Sequence, residues 1–198
     1  MGLLFDAAVA WSNLHSTTYD LLLGRKGDWS DSLSLSFCPE DFPHLAGMQY
    51  ASDVDFGLNK AEIRSGKFIS KIINGEVDDE LIEKAAEWET KIQGRLGGII
   101  ALEEALDNEF LIYKFDSRKV PYGSNIAAKY VIKNLRTGIT FFVFVDEDEQ
   151  RWFCRSVFQL NIADYTTNQA RVTVLKKKKW KDGAVAIDYT HPNYKPTE

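Results

Sequence analysis

The residue best placed for chemistry in this chain is His44, in the segment Phe42-Pro43-His44-Leu45-Ala46-Gly47. Proline is favoured in the first turn of a helix, so Pro43 predicts a helix starting there, with Asp41 as its N-cap. A histidine in that turn feels the positive end of the helix, which lowers its pKa and favours the neutral, basic form. The same end is a ready anion site. A neutral imidazole beside a phosphate is what deprotonation of a ribose 2′-hydroxyl requires. The plainer alternative is a histidine that only caps the helix, because one His is a weak signal. Both readings stand at this point.

The second candidate is the run Lys176-Lys177-Lys178-Lys179, followed by Trp180 and Lys181. Side chains alternate between the faces of a strand, so at least half of these lysines should be solvated. Lys176 and Lys178, with Trp180 as a stacking platform, would suit single-stranded RNA. Lysines on an edge strand also discourage edge-to-edge pairing, which accounts for the run without a ligand.

Other chemistries lack their motifs. The sequence contains no Walker loop, dinucleotide fingerprint, HExxH, EF-hand loop or GxSxG elbow. Three His are too few and too dispersed for a metal cluster, and Cys38 and Cys154 lack zinc spacing. No metal, nucleotide or other cofactor is therefore expected. No apolar run is long enough to cross a bilayer. The opening MGLLFDAAVAW lacks a basic n-region, and Asp6 stands where a myristoylation motif wants Ser or Thr. With two Cys and no export signal, a reduced, cytoplasmic setting is the expectation.

These residues must be held by a chain of two textures. Residues 1–113 carry nine Lys/Arg against twenty Asp/Glu, a net −11, whereas residues 114–181 carry fourteen against six, a net +8. A basic module in an acidic chain fits an anionic ligand, or two halves that complement each other within one fold. Helices are predicted over 3–23, from Pro43, over 60–73 with an Asn59–Glu62 capping box, and from Asp78 to about Leu106. Gly94, Gly97 and Gly98 interrupt the last. Each costs about 1 kcal/mol in a helix interior, so a close backbone neighbour should offset them. A short strand is predicted at 32–37. After residue 109, strands rich in Val, Ile, Phe and Tyr are predicted at 110–115, 126–135, 139–145, 151–158, 171–180 and 184–189. Residues 134–138 read as a hairpin turn and 146–149 as another. The expected fold is α+β, with N-terminal helices packed on a C-terminal antiparallel sheet of about five strands. It is expected as a single domain over 1–190, helical to about 109, with a tail at 191–198 and fraying from about 189.

His44-Leu45-Ala46-Gly47, preceded by an aromatic and followed by Met48-Gln49-Tyr50, resembles the HLxG signature of a phage-associated nuclease family. This is the fourth phage subfamily of the Barnase–EndoU–colicin–RelE-like group. Further features agree in order: an N-terminal helix bearing Tyr19 and a short strand before the motif, then a helix with Phe68 and Ile72–Gly75, and Arg95-Leu96 on a long helix. Then come Ser124-Asn125-Ile126-Ala127-Ala128-Lys129-Tyr130, a Phe-rich strand at 141–144, and Ser156-Val157-Phe158. The similarity covers most of residues 3–180.

The resemblance implies metal-independent RNA cleavage through a 2′,3′-cyclic phosphate. It implies His44 as general base or acid, Arg95 and Lys129 as holders of the scissile phosphate, and Ser156 as a hydrogen-bond donor to it. Taken singly, each also suits structural duty. Arg95 could pair with acids of its own helix, Lys129 could be the polar face of a strand, and Ser156 an ordinary outward residue. Arg155 joins Lys176, Lys178 and Trp180 as a nucleic-acid contact. The second acid/base group is open among Tyr165, Tyr130 and Arg155. The leading expectation is a phage- or mobile-element-borne, toxin-like ribonuclease. The alternatives are a non-catalytic prophage binding protein with a degenerate nuclease fold, and an acidic immunity-like partner binding through 78–109. Base preference and oligomeric state carry no signal in the sequence.

Overall fold

A computed structural model describes residues 2–25, 29–134, 140–159 and 164–195. Helix α1, Leu3–Ser12, buries Leu4, Ala7, Ala8 and Trp11. The helix expected over 3–23 ends there. From Thr17 every second residue is buried (Thr17, Tyr19, Leu21, Leu23), and the chain forms strand β1, Thr17–Arg25. Threonine and tyrosine favour the pleat, and alternation prevails over helical spacing. β1 pairs back onto β2, Trp29–Ser36, which turns Leu33 and Leu35 to the same side.

The middle of the chain is helical but more broken than its periodicity predicts. Helices α2 (Phe42–Leu45), α3 (Lys60–Arg64), α4 (Lys67–Ile73), α5 (Gln93–Ile100) and α6 (Leu102–Asp107) follow one another. The capping box forms: Asn59 Oδ1 accepts from the N–H groups of Ala61 and Glu62, and Glu62 accepts from the N–H of Asn59. The helix it opens stops at Ser65, where ψ is 154°. The long helix expected after Asp78 is also divided. Ala85 is extended, with ψ 136°, the Ala86 N–H goes to Asp53, and a π-helical turn at Trp88–Ile92 leads into α5.

The remaining strands are β3 (Phe110–Lys114), β4 (Tyr130–Asn134), β5 (Phe141–Glu147), β6 (Trp152–Gln159), β7 (Ala170–Lys181) and β8 (Ala184–Thr190). Residues 135–139 of the expected hairpin turn lie outside the described residues. The expected sheet of about five strands under helices is overturned. Seven strands close into a barrel in the order β1-β2-β6-β5-β4-β3-β7, and β8 is added on β7. β1 is the cause, since it pairs with β2 on one side and along β7 on the other, joining the ends of the sheet. Neighbours are antiparallel except β2 and β6, which meet in parallel at one pair, Leu35 opposite Trp152. Beside this narrow seam, α2 and α5 pack against β6. β8 runs through Thr190, and the His191 N–H donates to the Leu175 carbonyl at 2.8 Å.

Register separates the two faces of the strands. Tyr19, Leu21, Leu35, Ile112, Ile132, Val143, Val145, Cys154 and Val172 share the inner face and join the helices in one large core. On the outer face, Val131, Phe142 and Phe144 form a second, smaller core with Phe115, Ile126, Ala128, Phe158 and Tyr165. No helix among the described residues is long and apolar enough to cross a membrane.

The charge asymmetry is met in part within the fold. Lys177, Lys179 and Lys181 point inward from β7 onto α6. Lys177 Nζ donates to the carbonyls of Leu106, Asp107 and Asn108 at 2.7–2.9 Å, at the negative end of the helix. Lys179 pairs with Glu103 and Asp107, and Lys181 with Glu103, each at 2.8 Å.

Candidate active site

α5 lies close on β6 because Gly98 has no side chain: a Cβ there would come within 2.7 Å of Val157 Cγ2. The glycine's cost in the helix is offset by that approach. Arg95, a turn earlier, is thereby brought beside the strand. Its Nη1 donates to Ser156 Oγ at 3.0 Å. Its guanidinium carbon lies 5.4 Å from the ring centroids of both Tyr50 and Phe158. Two aromatic contacts and one hydrogen bond restrain the cation.

β6 presents Ser156 through an irregularity. Phe144 stands opposite Ser156, but Val145 stands opposite Cys154, so Arg155 is the extra residue of a β-bulge. The bulge sends Cys154 into the main core and leaves Ser156 on the face of Phe144. Arg155 is exposed.

His44 reaches the same place from α2. Gly47 ends the HLxG segment with φ 83°, a left-handed conformation that favours glycine. A Cβ there would lie 3.1 Å from Arg95 Cδ, so this glycine also makes room for the arginine. The His44 imidazole sits below its ordinary pKa, first because the ring is partly stripped of water. The positive charges of Arg95 and Arg155 lower it further, and Asp41 acts the other way. The expected cause was the helix N-terminus; α2 has only four residues, too short for a substantial dipole, and desolvation with two arginines takes its place. Nor does Asp41 cap α2: its carboxylate accepts from both terminal nitrogens of Arg151 at 2.7 Å. Burial pushes the Tyr165 phenol up, opposed by Arg95.

His44, Arg95, Arg155 and Ser156 are thus brought together at the seam between α2, α5 and β6. Lys129 is not. Its ammonium pairs with Glu147 and lies 5.5 Å from the Trp152 ring centroid, in acidic surroundings that include Asp31. Tyr130 is also elsewhere, donating its phenol proton to Asp31. Lys176, Lys178 and Trp180 are on β7, three strands from β6 by the shorter way round the barrel. Trp180 Nε1 donates to Asp20 at 2.6 Å, Lys178 lies 3.6 Å from Asp188, and Lys176 lies over the Tyr194 ring.

A family model described as phage-Barnase-EndoU-ColicinE5/D-RelE like nuclease4 matches residues 3–186. The chain belongs to this nuclease family. No curated protein and no solved structure matches it. A nucleic acid is accordingly the substrate class that membership brings with it. In this chain, Tyr50 and Phe158 lie at the same site, against Arg95, though neither stands out by type. Their signals were positional: Tyr50 is six residues after His44, and Phe158 is two after Ser156, on the same face of a strand. Among the described residues, no group of three or more His, Cys, Asp or Glu side chains is arranged to hold a metal.

The charges around His44 can be tested directly. In an NMR titration, its midpoint is expected below 6.5, the ordinary histidine value, and should rise in Arg155→Gln. Removing a nearby positive charge relieves the imidazolium. An unchanged midpoint would take Arg155 out of the surroundings of His44.

Proposed function

We propose that this phage-associated nuclease is a metal-independent, toxin-like endoribonuclease. The observation that carries the reading is the Arg95–Ser156 hydrogen bond, with His44 and Arg155 gathered beside it. Cleavage by a ribose 2′-hydroxyl needs a base at the 2′-oxygen, positive charge on the phosphate and a proton for the leaving 5′-oxygen. His44, neutral at pH 7, takes the 2′-proton. Arg95 and Arg155 hold the non-bridging oxygens as the pentacoordinate anion forms. Ser156 aims Arg95 by accepting from Nη1, and its own proton remains available to the phosphate. Tyr165, kept protonated by burial, is the donor available to the 5′-oxygen. The site's own groups are cationic, imidazole or hydroxyl, a poor donor set for a divalent cation.

The test is incubation of the folded protein with labelled RNA in EDTA. The expected products are a 2′,3′-cyclic phosphate and a 5′-hydroxyl, identified by mass spectrometry. A single 2′-deoxy substitution at the scissile position should abolish cleavage there. Equal cleavage of DNA would eliminate the 2′-hydroxyl mechanism. RNA binding without cleavage would establish instead a binding protein on a nuclease fold.

A further inference from the structure

The outer face of the barrel carries one continuous row from the site to a built loop. Ser156 stands opposite Phe144, Phe144 opposite Val131, and Val131 opposite Tyr113. Neighbouring strands are about 4.8 Å apart, so the row extends roughly 15 Å from Ser156 across β5 and β4 to β3. Arg95 stands at one end. The 115–128 loop springs from the other and returns over the row. Phe115 packs 5.0 Å from the Phe144 ring, and Ile126 and Ala128 join the same small core.

This loop has a defined shape. Asp116 accepts from the Arg118 N–H and pairs with its guanidinium, while the Gln169 amide makes two hydrogen bonds to the Asp116 backbone. The Gly123 N–H closes a turn onto the Val120 carbonyl at 2.9 Å, with Gly123 at φ 73°. Val120 is buried as an anchor. Two residues on, Tyr122 is 78% exposed. Arg118 and Lys119, four and three residues earlier, are also exposed. A turn that buries its valine and displays its tyrosine, with exposed cations three and four residues earlier, has the composition of a stacking platform for single-stranded nucleic acid.

We infer that the 115–128 loop is the flanking-strand subsite of this nuclease, with Tyr122 stacking on an unpaired base and Lys119 on the adjoining phosphate. The inference rests on the ribonuclease reading for the identity of the strand.

The experiment compares wild type with Tyr122→Ala, Tyr122→Phe and Lys119→Ala. The substrates are a single-stranded RNA of roughly twelve nucleotides, a duplex of the same sequence, and a dinucleotide. Loss of one stacked base is expected to raise KM for the single strand about tenfold in Tyr122→Ala, with kcat retained. Tyr122→Phe should restore most of it, and Lys119→Ala should weaken binding with a shallower salt dependence. The dinucleotide should show no such loss. Equal KM values for wild type and Tyr122→Ala on the single strand, or an equal loss on duplex or dinucleotide, would overturn the subsite. Fluorescence anisotropy of the labelled strand separates the two readings: Tyr122-dependent binding without cleavage keeps the subsite and sinks the nuclease mechanism.

Discussion

Replacing His44 by alanine is expected to lower the rate of RNA cleavage about 1,000-fold, the usual range for removing a general base. The fold should survive, because His44 is exposed and its side chain fills no core position. Thermal melts of the variant should therefore overlay those of wild type. In wild type, kcat/KM should rise with pH through the His44 pKa, which lies below 6.5. His44 is the active form once its proton is lost, so the limb falls on the acid side. That limb should vanish in the alanine variant. Arg95→Ala is a different experiment. It removes charge from the phosphate, about 10²–10³ in rate, but also empties the space between Tyr50 and Phe158. If the two residues act on one transition state, the double variant should lose much less than the product of the single losses. A drop of under tenfold in His44→Ala would end its assignment as base, and the cluster would then be a phosphate-binding site without a catalyst.

The helix-borne half of the site was more legible than its sheet-borne half. His44 and Gly47 open and close one four-residue motif, and the local pattern carries both the turn and the histidine. Arg95 could be placed on a helix by periodicity. Its distance from Ser156 depends on Gly98 meeting Val157, a contact between segments about sixty residues apart that no local signal announces. Lys129, within the strand expected at 126–135, was given the same phosphate-holding role as Arg95, but Glu147 pairs with it across β4 and β5. Barrel closure was hidden in β1. Leu21, Leu22 and Leu23 satisfy a helical stripe and an alternating strand alike, and only pairing with β7 decides between them. With β1 misassigned as helix, the sheet had two free ends and no route to closure.

The largest effect on stability is expected at the lysine run, and it should alternate along the strand. Lys179 is 4% exposed; burial opposes its charge, but Asp107 and Glu103 outweigh this and hold its pKa above the ordinary value. Asp107 also accepts from the Tyr19 phenol at 2.5 Å, so one lysine closes a network spanning β1, β7 and α6. Lys179→Ala leaves those carboxylates in a partly buried site with one partner fewer. The expected cost is about 3–5 kcal/mol, a fall in Tm of roughly 10 °C. Lys178→Ala, one residue away on the outer face, should change stability by less than about 0.5 kcal/mol, because its pair with Asp188 is solvated. The pH dependence follows from the same network. Glu103 is held below its ordinary pKa: desolvation would raise it, but Lys179 and Lys181 prevail. Its contribution is present above the unfolded carboxylate range and is lost as pH falls through the lowered value. The wild-type urea midpoint should therefore fall below about pH 4.5, and Lys179→Ala should flatten that fall. Equal melting temperatures for Lys178→Ala and Lys179→Ala would show that the lysines do not divide between inside and outside. The barrel closure along β1 and β7 would then need another explanation, because the register that turns Lys179 inward is the one that pairs it with Tyr19.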